Sequence, residues 1–191
     1  MIFSAVILAG GKSSRMGRDK AWLEVNGEPL LARQIRLARA AGAAEIVISG
    51  RAGTDYSGFG CRVLQDRFPE AGPLAGIERA LAESLSPLVL ALAVDMPNLT
   101  PGFLQMLAAG CGSETGAIPR TGGGVEPLAA FYPKASWTLA DKSLRANSNA
   151  VQRFAELCVN SGLATFLEFV PPQADLFKNW NSPVDLQPCP A

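Results

Sequence analysis

The stretch that most constrains this chain is its opening, where an apolar run, Val6-Ile7-Leu8-Ala9, passes straight into Gly10-Gly11 and then Lys12, Arg15, Gly17 and Lys20. A core strand ending in a glycine-rich, basic loop is the build of a phosphate site in an α/β protein. Glycine lets the backbone approach a ligand closely, so that successive N–H groups can turn toward one anion. Lysine and arginine add mobile positive charge. By residue type alone, the run is also compatible with a glycine-rich turn that binds nothing.

Two better-known phosphate loops are excluded by spacing. Gly11-Lys12-Ser13 looks like the end of a Walker A loop, but that motif needs a glycine at position 6, where this chain has Val. The dinucleotide fingerprint G-x-G-x-x-G fails because Gly10 and Gly11 are adjacent and the next glycine is Gly17.

Downstream, short apolar runs alternate with amphipathic ones, which predicts an α/β fold around a mostly parallel sheet. Strands are expected at Phe3 to Leu8, Glu45 to Ser49, Cys61 to Gln65 and Leu88 to Val94, the last buried on both faces. Helices are expected from Pro29 to Gly42, from Pro73 with Leu74, Ile77 and Leu81 on one face, and from Thr100-Pro101 through Leu107. The second half is less regular. Strands are expected near Gly116 to Pro119, Glu126 to Tyr132 and Phe166 to Val170, and helices over Ala135 to Arg145 and Asn149 to Gly162. No repeat or linker divides the 191 residues, so they read as one domain.

Composition narrows the chemistry. Seventeen basic and seventeen acidic side chains cancel, which argues against the broad positive surface of a nucleic-acid binder. There is no histidine, which removes imidazole bases, His-based triads and H-E-x-x-H zinc sites. The four cysteines at 61, 111, 158 and 189 form no C-x-x-C pair and read as packing thiols of a reducing compartment. Ile2 to Gly10 lacks the basic flank of a signal peptide, and Pro87 to Val94 is too short to span a bilayer. A cytoplasmic protein without membrane contact is expected.

Three further residues are placed for chemistry. Asp95 ends the most apolar strand, where α/β sheets gather ligands, and suits a magnesium ion beside phosphates or, equally, a turn before Pro97. Lys20 follows the glycine loop and either reaches back over a triphosphate or is a solvated surface lysine. Asp66 ends another strand and precedes Gly72-Pro73-Leu74-Ala75-Gly76, a turn feeding a helix N-terminus; both point to the nucleoside side of a pocket, although an aspartate there is commonly a turn former.

Taken together, Leu8-Ala9-Gly10-Gly11, Ser13-Ser14-Arg15-Met16-Gly17 and Asp19-Lys20 resemble the signature loop of nucleotidyltransferases. The double glycine and Met16-Gly17-Arg18-Asp19-Lys20 resemble most closely the molybdenum-cofactor guanylyltransferase family. Asp95-Met96-Pro97 resembles that family's magnesium motif, and Gly72 to Gly76 its guanylyl branch. Asn179-Trp180-Asn181-Ser182-Pro183 resembles its closing Asn-x-Asn-Thr-Pro motif, and Glu126-Pro127-Leu128 a segment near the acceptor. Ser49 departs from the pattern, standing where the family often has asparagine.

The resemblance implies a three-layer nucleotidyltransferase fold in which residues 1–100 hold the nucleotide and residues 101–191 the acceptor. It implies transfer of GMP from GTP to the terminal phosphate of molybdopterin with Mg²⁺, releasing pyrophosphate. Leu8, Ala9, Gly10, Gly11, Lys20, Asp66 and Asp95 would bind GTP, with Lys20, Asp95 and Arg15 catalytic, Asp95 on the metal, and Asn179 and Asn181 facing the acceptor. Its partners would be the two substrates and, transiently, enzymes that make or receive the cofactor. Two alternatives remain open at this point: a nucleotidyltransferase of the same fold using CTP or a sugar phosphate, and a nucleotide-binding regulator without turnover.

Overall fold

The structure is a computed structural model that describes residues 1–10, 20–170 and 173–177. In chain order its elements are β1 (Phe3–Leu8), β2 (Glu24–Val25), β3 (Glu28–Pro29), α1 (Leu30–Ala40), β4 (Glu45–Ser49), β5 (Arg62–Leu64), α2 (Pro73–Glu83), β6 (Leu88–Ala93), α3 (Pro101–Ala109), β7 (Gly116–Thr121), β8 (Gly124–Val125), β9 (Ala129–Pro133), α4 (Trp137–Arg145), α5 (Val151–Asn160) and β10 (Ala164–Glu168).

Five strands form the central sheet in the order β5-β4-β1-β6-β9, parallel except for β9, which runs antiparallel to β6. A smaller sheet, β10-β7-β8, extends the second half. Alternation along β1 builds the layers. Phe3, Ala5 and Ile7 face a core made with Leu30, Leu31 and Ile35 of α1 and with Phe103, Leu104 and Leu107 of α3. Val6 and Leu8 face the opposite core, made with α2, α4 and α5 through Leu74, Ile77, Leu144 and Phe154. A strand buried on both faces between helices is what a fully apolar run requires. All six residues of β6 are buried, as the sequence predicts.

Helix starts also follow the sequence. Pro73 opens α2, and Thr100 caps α3 by accepting a hydrogen bond from the Phe103 amide at 3.2 Å. Three differences are local. β2 and β3 form a short hairpin on the Asn26-Gly27 turn, where both residues have positive φ. The strand expected from Glu126 begins only at Ala129, because Glu126 is drawn back to Pro119 by its amide and Pro127 has no amide to give. The last strand begins at Ala164 and ends at Glu168; the Phe169 amide still donates to the Arg120 carbonyl at 2.8 Å, and its ring packs edge-on against Phe103.

Cys61, Cys111 and Cys158 are free thiols, and burial holds the Cys158 thiol up at about 12, so it stays protonated in the core. Among the described residues, no helix is long and apolar enough to cross a membrane.

Candidate functional site

The register of the parallel strands sets the site. Leu64, Ser49, Leu8 and Ala93 are successive partners across β5, β4, β1 and β6 at the carboxyl edge of the sheet. Asp66 and Asp95 each stand two residues beyond that row. Three interstrand steps of about 4.8 Å separate β5 from β6, so the two carboxylates bracket an edge of roughly 14 Å. Between them the chain leaves β1 as Ala9-Gly10. The Ala9 amide donates to the Ser49 carbonyl at 2.8 Å and the Val94 amide to the Leu8 carbonyl at 3.2 Å, so pairing continues past the strand ends on both sides. This is the crevice in which open α/β sheets bind ligands.

At one end, Lys20 and Asp95 meet. Nζ of Lys20 donates to Oδ2 of Asp95 at 2.8 Å, and both side chains retain about a fifth of their exposure (19% and 20%). Two adjacent residues of α1 secure the turn that carries Asp95: Nε of Arg33 donates to the Pro97 carbonyl at 2.8 Å, and Nε2 of the fully buried Gln34 to the Met96 carbonyl at 2.7 Å. The turn is thereby fixed on the carbonyls of both residues that follow the aspartate. On the other flank, the Ala93 amide donates to the Leu128 carbonyl, which brings Glu126-Pro127-Leu128 to the same edge. The Glu126 carboxyl is held above the usual range by burial.

At the far end, Oγ of the buried Ser49 donates to Oδ1 of Asp66 at 3.3 Å. Burial pushes the Asp66 carboxyl up; the Ser49 hydrogen bond opposes this, and the negative charge of Glu78 adds to it. Glycine is required at position 76, since a Cβ there would lie 2.3 Å from Ser49 Oγ and 2.8 Å from Leu8 Cδ2. Its absence lets α2 settle directly onto the ends of β1 and β4.

The structure thus brings Leu8, Ala9, Gly10, Lys20, Asp66 and Asp95 to one edge. Gly11, Lys12, Arg15, Asn179 and Asn181 lie outside the described residues. The last described turn, Gln173–Phe177, reaches the same side: Nδ2 of Asn98 donates to the Asp175 carbonyl at 3.3 Å, and Phe177 packs against Phe103. Sequence reasoning passed over Arg33 and Gln34, and left Ser49 uncommitted. Gln34 carries a readable signal, being a polar residue four positions after Leu30 and three before Leu37, on the apolar stripe of its helix.

In sequence and in fold the chain is similar to known proteins. A family model described as MobA-like NTP transferase domain matches residues 5–160. A relative from Opitutus terrae, named probable molybdenum cofactor guanylyltransferase, is 38% identical over 185 residues, which is 95% of this chain and 92% of that protein. One of the same name from Pelotomaculum thermopropionicum is 35% identical, over 96% of this chain and 89% of its own. Among solved structures, molybdopterin-guanine dinucleotide biosynthesis protein A from Archaeoglobus fulgidus superposes with a TM-score of 0.74 over 97% of this chain and 95% of that one. At 21% identity, this likeness bears on the fold. The chain belongs to the MobA-like NTP transferase family, among the molybdenum cofactor guanylyltransferases.

Proposed function

We propose that the chain transfers GMP from GTP to the terminal phosphate of molybdopterin, and that the edge between Asp66 and Asp95 is where it does so. The observation that carries this reading is the meeting of Lys20 and Asp95 at 2.8 Å beside the end of β1, in a member of this family. An oxygen of the acceptor phosphate forms a bond to the α-phosphorus of GTP. The bond from that phosphorus to the β-phosphate bridging oxygen breaks, and its electron pair leaves on pyrophosphate. The acceptor phosphate is already ionised, so no general base is needed and a chain without histidine is sufficient. Such reactions are promoted mainly by positioning and charge stabilisation.

Leu8, Ala9, Gly10 and Gly11 hold the nucleotide by backbone contact, Asp66 accepts hydrogen bonds from the nucleoside, and Lys20 and Arg15 place positive charge on the phosphates. Asn179 and Asn181 would bind the acceptor. The residues present fit a magnesium ion. Asp95 offers hard carboxylate oxygens, and a carboxylate has lone pairs enough for both Lys20 and a metal. A magnesium ion held by one such carboxylate would be completed by phosphate oxygens and water. When bound, Mg²⁺ offsets charge on the reacting phosphates. The free thiols support a reducing, cytoplasmic setting.

Titrating GTP, ATP, CTP and UTP with Mg²⁺, followed by pyrophosphate release with molybdopterin, tests the reading. GTP is expected to bind best, each hydrogen bond lost by a wrong base costing about 1–3 kcal/mol. Equal or tighter CTP binding points instead to a cytidylyl enzyme of the same fold. GTP binding without pyrophosphate release points to a regulator.

A further inference from the structure

Each of the four parallel strands sends one residue to a row two positions beyond the register partners Leu64, Ser49, Leu8 and Ala93. That row is Asp66, Arg51, Gly10 and Asp95. Three of the four serve the chemistry above, and the fourth, Arg51, is the cation of the row. It follows β4, one strand from Asp66 and one from Gly10, and each interstrand step is about 4.8 Å. Contact between the loops persists past the strand ends, since a Cβ on Gly10 would lie 3.4 Å from the Gly50 carbonyl oxygen.

Packing along β4 gives the direction of this residue. Ile48 belongs to the core shared with α1, and Ser49 turns the other way, to Gly76 of α2 and to Asp66. A Cβ on Gly50 would lie 2.8 Å from Cδ2 of the buried Tyr56, again on the α1 side. Successive side chains of an extended chain point to opposite faces, so Arg51 takes the side of Ser49 and Asp66. Its backbone is anchored from behind: the Arg51 amide donates to the Tyr56 hydroxyl at 3.0 Å, and its carbonyl accepts from the Thr54 amide at 3.2 Å, in a turn with Gly53 at positive φ. The residue itself is exposed.

We propose that Arg51 selects the base: its guanidinium donates to the 6-oxo and N7 acceptors of guanine, while the Asp66 carboxylate accepts from N1–H and the 2-amino group. The proposal rests on the GTP reading above and on Asp66 binding the nucleoside. Placement favours a base over a phosphate, because Arg51 lies on the Asp66 side of Gly10 and the Lys20–Asp95 pair lies on the other. The pattern of donors fits as well. A planar guanidinium fork matches the acceptor pair of guanine, and an ionised carboxylate, which only accepts, matches its donors. Ser49 engages Oδ1 of Asp66, which leaves Oδ2 for the base. Adenine would turn its 6-amino group toward the guanidinium and a lone pair toward the carboxylate, and cytosine has no N7. One strand step of about 4.8 Å is comparable to the span from the 6-oxo to the 2-amino group of guanine, so one flat base meets both side chains.

The test titrates the wild type, Arg51→Met and Arg51→Lys by calorimetry with Mg²⁺ and five nucleotides: GTP, 7-deaza-GTP, which lacks the N7 acceptor, ITP, which lacks the 2-amino group, ATP and CTP. A melting curve accompanies each protein. The wild type should bind 7-deaza-GTP about tenfold more weakly than GTP, the loss of one hydrogen bond to a charged group. Arg51→Met should weaken GTP about tenfold to a hundredfold, the usual discrimination of a bidentate pair. It should then bind GTP and 7-deaza-GTP alike and keep the penalty on ITP, which belongs to Asp66. Arg51→Lys keeps the charge without the fork and should also lose most of the N7 discrimination. A common weakening of GTP, ATP and CTP by Arg51→Met, with the 7-deaza penalty intact, would make Arg51 a phosphate contact and overturn the proposal. Normal GTP binding by Arg51→Met, or wild-type indifference to N7, overturns it too while leaving the GTP reading in place. CTP binding as tight as GTP in the wild type sinks the GTP reading itself, and the proposal with it. Should Arg51→Met not fold, Arg51→Lys decides by the same comparison of GTP with 7-deaza-GTP.

Discussion

Lys20 and Asp95, 75 positions apart, are joined at 2.8 Å, so the segment after β1 is fastened to the turn after β6. Each side chain keeps about a fifth of its exposure, so the pair sits at the rim of the crevice and not sealed in the core. Their proximity therefore matters mostly for what they do together.

Lys20→Ala should lower kcat about 10²-fold or more, beyond any change in KM, as expected when a preorganised charge at a developing oxyanion is lost. Asp95→Asn keeps the shape and should fold normally while losing Mg²⁺-dependent turnover. Steady-state kinetics with GTP and Mg²⁺ varied independently check both. An effect of Lys20→Ala confined to KM would make it a ground-state contact only.

Gln34→Met preserves volume and removes the donor to the Met96 carbonyl. It also removes Oε1, a buried acceptor without a partner among the described residues, so the net change in stability should stay within about 1 kcal/mol. Turnover should nonetheless fall several-fold, because the turn bearing Asp95 loses one of its two ties to α1. A melting curve beside a kcat measurement separates these effects; unchanged turnover would show that Arg33 holds the turn alone.

Gly76→Ala should destabilise the protein by about 1–3 kcal/mol, the usual effect of overpacking, and should weaken GTP binding as well. The added carbon would lie 2.7 Å from Ser49 Cβ and nearer still to its Oγ, pushing α2 away from Ser49, the partner of Asp66. Denaturant unfolding and nucleotide titration should therefore move together.

Asp66→Asn should raise stability at neutral pH while lowering GTP affinity. Burial lifts the Asp66 carboxyl above its ordinary 3.8, so the folded form keeps its proton to higher pH than the unfolded chain does. A raised value gives a contribution that is complete below the unfolded pKa and lost as pH rises through the folded one. The ionised aspartate thus works against folding at neutral pH. The Tm gain of the variant should vanish below about pH 3.8, which melting curves across the acid range can check.

Much of this architecture could be read directly from residues. β1 and β4 are apolar runs whose ends stand where sequence expects them and β6 ends one residue early, at Ala93; Asp66 and Asp95 could be singled out from their places just beyond such runs, and Lys20 from its place after the glycine loop. The hairpin of β2 and β3 was missed although Asn26-Gly27 advertises it, because two-residue strands carry no periodicity. The supports were harder to read. Glu78 interrupts the stripe of Leu74, Ile77 and Leu81 as Gln34 interrupts that of α1, but their partners lie 11 to 62 residues away, and no local pattern names them.

The placement of β9 bears on how the chain is made. β6 is a wholly apolar strand, and the neighbour on its outer edge is synthesised only after α3, β7 and β8. Until Pro133 has emerged from the ribosome, that edge presents unpaired amides and carbonyls flanked by leucine, valine and alanine, a template for adhesion to other nascent chains. A fragment ending near residue 100 would contain Lys20, Asp66 and Asp95 and still be recovered from inclusion bodies, because the strand that seals it belongs to the other half.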